Sequence, residues 1–140
     1  MSRVLVTGAN GFVGRSLCDE MIRRGRRIKA AARSADPLIA GAESVMVGSV
    51  DGETDWSYAL SDVDVVVHLA ARAHMMRETA VDPLTAFNIV NVAGTEQLAR
   101  AAAEAGVRRL VYVSSIKVNG ERTCDAGEGL PEKFSATDRP

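Results

Sequence analysis

The sequence contains little of what several classes of protein require. It has two cysteines, 4% aromatic residues and a formal net charge of −1. Cys18 and Cys124 lie far apart, so a disulfide-stapled miniprotein is excluded and a reduced, cytoplasmic protein is expected. The balance of charge argues against a nucleic-acid-binding surface. With two histidines and separated cysteines, no metal site is expected.

Long apolar runs are also absent. Val4–Val6, Val65–Val67 and Leu110–Val113 are short and bounded by polar residues, so we expect no membrane span. Met1–Val4 lacks the apolar stretch of a secretory signal. What the chain does have is 46% hydrophobic residues among 140, which suffices for the core of one domain.

Strand-like and helix-like segments alternate along the chain. Helical patterns are predicted for Phe12–Arg24, for Thr54–Leu60 with Asp51 or Thr54 as N-cap, and from the Asp82 N-cap to Ala105. The predicted strands are Arg3–Thr7, Arg27–Ala32, Ser44–Val47, Val63–Leu69 and Arg109–Ser114. This alternation predicts an α/β fold with a parallel sheet, which binds ligands at the carboxyl ends of its strands.

A glycine-rich turn follows the first strand and opens the first helix. Its spacing would let Gly8 form the tight turn, Gly11 admit a pyrophosphate and Gly14 pack closely on the strand. The first N–H groups of the helix would face the anion. A purely structural turn is the alternative, and no Gly-Lys-Ser/Thr of an ATPase loop follows. The predicted dinucleotide contacts are Gly8, Asn10, Gly11, Phe12, Val13 and Gly14.

The Gly-x-x-Gly-x-x-Gly spacing resembles that of the short-chain dehydrogenase/reductase superfamily. Further segments are similar to its extended branch of NAD-dependent nucleotide-sugar epimerases, dehydratases and reductases. They are Val4–Gly8, His68–Ala71, Asn91–Thr95, Val113–Ser115 and Val118–Gly120. The resemblance covers residues 1–120 and implies a Rossmann-type, doubly wound parallel sheet with helices on both faces, truncated after about five strands.

The end of the second strand bears on the choice of cofactor. An Asp or Glu at this place holds the ribose of NAD, whereas here Arg33 and Ser34 follow Ala32. Arg33 could meet the 2′-phosphate of NADP, with a hydrogen bond from Ser34, or it could stack on adenine, which suits NAD equally. NADP is therefore slightly favoured over NAD.

The resemblance also implies further contacts. Ser49 and Val50 would flank the adenine, and Asn91 would support the site through backbone and water contacts. Ser115 matches the catalytic serine that hydrogen-bonds the reacting oxygen. His68 is expected in the core and His74 on a loop. The remaining cofactor contacts implied are Leu69, Ala70 and Ala71 beneath the nicotinamide ribose, and Val113 and Ser114 before the serine.

The tyrosine and lysine of the superfamily's catalytic set have no counterpart in the chain. They occur as Tyr-x-x-x-Lys, which places both on one helical face, and Tyr112 and Lys117 are one residue too far apart. We expect residues 1–120 to form an NAD(P)-binding domain and residues 121–140 a loop leading to a missing catalytic helix and substrate domain. The 140-residue chain alone would be inactive and bind dinucleotide weakly or not at all.

Three functions remain open from the sequence. The leading one is a full-length NAD(P)-dependent epimerase or reductase of a nucleotide sugar that serves surface-polysaccharide synthesis. The alternatives are an NADPH-dependent reductase of another carbonyl substrate and a non-catalytic NADP-sensing module. The resemblance further implies a homodimer through the Asp82–Ala105 helix of the full-length protein.

Overall fold

The computed structural model describes residues 2–33, 39–72 and 82–115. These residues form five strands, β1 (Arg3–Thr7), β2 (Arg27–Ala32), β3 (Glu43–Met46), β4 (Val65–His68) and β5 (Arg109–Tyr112). The strands form one sheet in the order β3-β2-β1-β4-β5, and every neighbouring pair is parallel. The predicted parallel α/β fold is confirmed; β1 and β2 have the predicted bounds, and the ends of the other three strands differ from the prediction by at most two residues.

Helices cover both faces of this sheet. They are α1 (Phe12–Arg23), α2 (Ser57–Leu60), α3 (Pro83–Phe87) and α4 (Gly94–Glu104). Cys18 of α1 packs in the core cluster on one face, and Leu98 of α4 packs in the cluster on the other. Adjacent valines of β4 alternate between the faces, with Val66 in the α4 cluster and Val67 in the α1 cluster. The continuous valine run is therefore buried on both sides, as a central parallel strand requires.

Helix α2 begins three residues later than predicted. The Thr54 hydroxyl accepts a hydrogen bond from the Asp51 N–H (2.8 Å) and donates to the Ser49 carbonyl (2.9 Å). This bonding stabilises a turn at Asp51–Thr54 instead of a first helical turn. The carboxylate that accepts from the Ser57 N–H is Asp55, at 2.9 Å, so the prediction of Asp51 or Thr54 as N-cap was wrong.

The long helix contains a feature that its sequence did not predict. Asp82 caps it, with Pro83 in the first turn, as expected. A π-helical segment, Asn88–Ala93, then joins α3 to α4. Such wide turns are rare and occur frequently at functional sites. Several predicted features lie outside the described residues: Ser34, His74, Cys124, the Val118–Gly120 motif and residues 121–140.

Candidate functional site

The carboxyl ends of the three central strands meet at one edge of the sheet. Thr7, the last residue of β1, is in register with Ala31 of β2 and His68 of β4. The chain leaves β1 toward β2 on one side and returns to β4 on the other, which makes this edge the topological switch point. A cleft of about 420 Å³ opens there, a volume within the range of small-molecule sites.

Most of the predicted cofactor contacts line this cleft. They are joined by six residues that the sequence analysis did not select, namely Thr7, Ala31, Ala32, Val47, Arg72 and Val90. Thr7 could have been found as the last residue of the strand, directly before Gly8, and Arg72 as the next residue after the predicted Ala71. The predicted residues in the lining are Gly8, Asn10, Gly11, Arg33, Ser49, Val50, Leu69, Ala70 and Ala71.

Two glycines of the turn allow close approach of backbones. Gly8 has φ +65°, and a Cβ there would lie 2.8 Å from the Ala70 nitrogen. Gly14 packs so tightly that a Cβ would clash with the Gly8 carbonyl oxygen and lie 2.8 Å from Ala9 Cα. Side chains at either place would push β1, α1 and the loop after β4 apart. The predicted roles of turn and helix packing therefore have a direct steric basis.

Gly11 lines the cleft directly before α1, whereas Phe12, Val13 and Gly14 do not belong to its described lining. Gly11 is the N-cap, no side chain caps the helix there, and the Gly11 carbonyl accepts from the Arg15 N–H at 3.0 Å. Helix geometry leaves the N–H groups of Phe12, Val13 and Gly14 without an intrahelical acceptor. The Phe12 side chain is 94% exposed. This arrangement fits a pyrophosphate, because backbone donors and the helix dipole both favour an anion.

The cleft has a basic lining. Arg33 and Arg72 are its charged residues, and no carboxylate lines it among the residues the structure describes. Arg33 is exposed at the end of β2. The Arg72 guanidinium lies 5.9 Å from the centre of the Phe87 ring, a cation–π distance. A lining of this kind favours polyanionic ligands.

Asn91 does not belong to the described lining of the cleft, but it binds Arg72, which does. Its Oδ1 accepts from the Arg72 N–H at 2.8 Å, and its Nδ2 donates to the Arg72 carbonyl at 3.0 Å. Both bonds go to the backbone of Arg72, so the Asn91 amide holds that backbone in place whatever conformation the Arg72 side chain adopts. Asn91 belongs to the π-helical segment, which thereby anchors one wall of the cleft.

The predicted catalytic end lies on the neighbouring strand. The Val113 N–H donates to the His68 carbonyl at 3.2 Å, which continues the pairing of β5 with β4. Val113, Ser114 and Ser115 are exposed and do not belong to the described lining of the cleft. The structure therefore brings Ser115 to the same sheet edge as the glycine turn, outside the described lining of the cleft.

Two buried titratable groups near the sheet are shifted toward their neutral forms. Burial lowers the pKa of His68, whose side chain is fully buried as predicted. Burial, together with the nearby Asp19 charge, raises the pKa of the Cys18 thiol to about 11, so this cysteine is not a nucleophile at neutral pH.

Two further searches cover the described residues. Within residues 2–33, 39–72 and 82–115, no three His, Cys, Asp or Glu side chains are grouped as ligands of a metal ion. In the same part of the chain, no helix has the length and apolar character needed to cross a membrane.

Known proteins show what the chain is similar to. UDP-glucose 4-epimerase of Vibrio cholerae is 42% identical over 125 residues, or 86% of this chain and 37% of that protein. A 3-beta-hydroxysteroid dehydrogenase of Mycolicibacterium neoaurum is 34% identical over 94% of this chain and 37% of its own length. The chain thus spans little more than a third of these curated relatives.

Solved structures agree with the observed topology. The structure of MoeE5 in complex with UDP-glucuronic acid and NAD superposes with a TM-score of 0.75 and 30% identity, covering 87% of this chain and 40% of that one. A family model described as NAD dependent epimerase/dehydratase family matches residues 4–137. Because that match extends over nearly the whole sequence, we conclude that the chain belongs to the NAD dependent epimerase/dehydratase family.

Proposed function

We propose that this chain supplies the NAD(P)-binding part of an enzyme that epimerises or reduces a nucleotide sugar. The observation that carries the proposal is the cleft at the switch point, where the glycine turn, the open start of α1 and two arginines converge. Relatives support the substrate class, since one is named as a UDP-glucose 4-epimerase and MoeE5 was solved with UDP-glucuronic acid and NAD.

Each part of the cleft suits one part of a dinucleotide. Gly11 and the N–H groups of Phe12 and Val13 would hold the pyrophosphate. Arg33 and the Ser49–Val50 loop would hold the adenosine, and the Leu69–Ala71 loop would support the nicotinamide ribose. When bound, the nicotinamide supplies hydride transfer to or from the substrate carbon.

Ser115 would act on the substrate side of the site. Its hydroxyl would hydrogen-bond the oxygen at the reacting carbon and so orient the substrate for proton transfer. The general acid/base would be a tyrosine whose pKa is lowered by a lysine, and the 140 residues contain no Tyr-x-x-x-Lys. We therefore expect no turnover of UDP-glucose, UDP-galactose or a carbonyl substrate by the 140-residue chain alone.

Titration of the 15N-labelled chain with NAD and NADP by NMR tests the cofactor site. This method detects weak binding, which is the affinity we expect. Shifts should concentrate at the amides of Gly11, Phe12, Val13 and Gly14. Gly11→Asp should weaken binding by about 100-fold, because a carboxylate would face the pyrophosphate. It should change the free energy of unfolding by no more than about 1 kcal/mol, since Asp is a good N-cap.

Gly11→Ser is the matched control for that substitution. It introduces a Cβ and a capping oxygen at the same place without the charge. Binding should therefore be weaker in Gly11→Asp than in Gly11→Ser. Equal binding by the two variants, or dinucleotide shifts that avoid the turn altogether, would contradict the proposed site.

The preference for NADP over NAD is the finer part of the proposal, and it depends on Arg33. Arg33→Asp should lower the ratio of NADP to NAD affinity by about tenfold, because a charge-assisted bond to the 2′-phosphate is replaced by repulsion. Arg27→Asp is the matched control, since Arg27 is exposed at the opposite end of the same strand, β2. If the ratio falls equally in both variants, Arg33 does not contact the 2′-phosphate.

The similarity to the steroid dehydrogenase favours one alternative, a reductase of another carbonyl substrate. An epimerase keeps its dinucleotide through a turnover, whereas a reductase exchanges it. Mass spectrometry of the purified longer protein would therefore find retained dinucleotide in the first case and little in the second. A non-catalytic NADP-sensing module would bind NADP and turn over neither substrate class.

The same helix that anchors the cleft offers a surface for a second copy. Leu84, Ile89 and Val92 are large exposed apolar side chains in its first half. Burial of such side chains is favourable in a symmetric dimer, and we assign the homodimer interface of the longer protein to this helix. Sedimentation velocity with Ile89→Lys should show dissociation to monomers, while Arg100→Lys in the charged second half should not.

A further inference from the structure

The hydroxyl of Thr7 binds the floor of the cleft, by which we mean the backbone at Leu69 and Ala70. Thr7 Oγ1 lies 3.2 Å from the Leu69 nitrogen and 3.1 Å from the Ala70 nitrogen, so it accepts hydrogen bonds from both backbone N–H groups. The Leu69 N–H is shared with the Thr7 carbonyl oxygen, which lies 3.3 Å from its nitrogen. It also lies 2.6 Å from Nδ1 of His68. Thr7 and His68 are each at most 1% exposed, so water cannot substitute for these partners.

Counting protons assigns the direction of every bond in this group. A threonine hydroxyl has one proton and two lone pairs. The two backbone N–H groups occupy the lone pairs, so the proton must point to Nδ1 of His68, which therefore accepts. A neutral imidazole then carries its proton on Nε2. Nε2 lies 3.0 Å from Thr95 Oγ1, and it donates to that hydroxyl.

The acceptor at the far end belongs to helix α4. Thr95 follows Gly94, which lies directly against the Ser49–Asp51 loop, since a Cβ on Gly94 would lie 2.7 Å from Val50 Cγ1. The first turn of α4 therefore contacts the adenine side of the cleft through Gly94. It contacts the floor through Thr95, His68 and Thr7.

We propose that His68, held as its Nε2–H tautomer between Thr7 and Thr95, is a positioning residue that fixes the floor of the cleft to helix α4. The fixed group is the backbone at Leu69 and Ala70. His68 touches no ligand in this assignment and acts only through Thr7. Its importance for cofactor binding rests on the proposed function, whereas the hydrogen-bonded chain itself does not.

The tautomer can be observed directly. Long-range 1H–15N spectra of the full chain without dinucleotide distinguish Nδ1–H from Nε2–H imidazoles. The sequence has only two histidines, so His74→Gln assigns the remaining signal to His68. We expect a single neutral Nε2–H form at pH values above neutrality. An Nδ1–H form, or rapid averaging between the two, would overturn the proposal.

Amide exchange tests whether the hydrogen bonds of Thr7, His68 and Thr95 hold the backbone at Leu69 and Ala70 in place. Thr95→Val removes the acceptor while keeping the shape, and Thr95→Ser keeps the hydroxyl. Exchange of the Ala70 amide should become about tenfold faster in Thr95→Val and stay near the wild-type rate in Thr95→Ser. The Leu5 amide in the same variants reports global stability. Equal acceleration of Ala70 and Leu5 would show a merely structural role and would overturn the assignment.

Two substitutions of His68 test its bond to Thr7 and its bond to Thr95 separately. His68→Asn retains an acceptor near the position of Nδ1, and His68→Gln retains a donor near the position of Nε2. Ala70 protection should survive better in His68→Asn, since Thr7 would keep its partner, and the reverse order would count against the proposal. Because no dinucleotide is present in these measurements, a chain that fails to bind NAD(P) would refute the proposed function only.

Discussion

The carboxyl ends of β1 and β5 lie at the same edge of the sheet but are built differently. At the end of β1, Gly8 and Gly14 allow backbones to approach within contact distance, and the Thr7 side chain is buried. At the end of β5, Val111, Tyr112 and Val113 are between 40% and 50% exposed. The first end is held by contacts from several elements, and the second by pairing with β4 alone among the described strands.

This difference separates the two halves of the proposed site. The cofactor side depends on residues that the chain itself packs together, so its geometry is determined within the described residues. Ser115 follows the exposed end of β5. We therefore expect substitutions near β1 to affect stability strongly and substitutions near β5 to affect it weakly.

The largest expected effect is at Gly14. In Gly14→Ala the new methyl group would collide with the Gly8 carbonyl, so α1 must shift from β1, and we expect a loss of about 3 kcal/mol or more in the free energy of unfolding. Gly25→Ala is the matched control, because Gly25 has open space around it and only its φ of +72° opposes a side chain. That variant should lose about 1–2 kcal/mol in urea unfolding. A smaller loss in Gly14→Ala than in Gly25→Ala would contradict the tight packing that we infer at the carboxyl end of β1.

A middle-sized effect is expected for two valines paired across the sheet. Val67 of β4 is 8% exposed, and its register partner Val111 of β5 is 40% exposed. Val67→Ala should lower the free energy of unfolding by about 2 kcal/mol, since it removes two buried methyl groups and leaves a cavity. Val111→Ala should cost less than about 1 kcal/mol. Equal losses in chemical unfolding would show that the edge at β5 is as well packed as the centre.

The smallest effect concerns pH. The pKa of His68 is lowered in the folded chain by burial, so the unfolded chain takes up a proton first as the pH falls. The stability that this group contributes is complete above its ordinary pKa of about 6.5 and is lost as the pH falls below that value toward the folded pKa. The groups that face the ring are the Thr7 and Thr95 hydroxyls and the Tyr112 ring, whose centre is 5.8 Å away.

Urea unfolding of wild type and His68→Gln between about pH 7.5 and pH 5.5 measures this contribution. The wild type should lose more stability than the variant over that range. His74→Gln, which removes the other histidine, should retain the contribution of His68. Identical pH dependence in wild type and His68→Gln would mean that His68 is not held neutral.

Much of the cofactor side could be predicted because it depends on short sequence intervals. Gly8, Gly11 and Gly14 directly follow a strand rich in β-branched residues. Their spacing alone indicates a tight turn, room for a pyrophosphate and a close packing contact, in that order. The start of α2 could not be predicted in the same way. The position of its first residue depends on the Thr54 hydroxyl, which bonds to Ser49 and Asp51 instead of capping a helix.

Contacts between distant residues explain the other differences. Asn91 was predicted to support the site, but its bond to the backbone of Arg72 depends on how the long helix packs across 19 residues of sequence. The partnership of Thr7, His68 and Thr95 joins two strands and a helix. No local pattern distinguishes these residues from other strand-end or helical residues of the same types.

The sequence by itself determined the parallel α/β fold, the glycine turn and the membership of the epimerase/dehydratase family. These follow from local periodicity and from motif spacing. Only the tertiary structure decided that Asn91 anchors the backbone of Arg72, that His68 lies between the hydroxyls of Thr7 and Thr95, and that Ser115 follows the exposed end of β5. The physical reason is that burial and hydrogen-bond direction depend on which elements pack together, and that information exists only when the sheet is assembled.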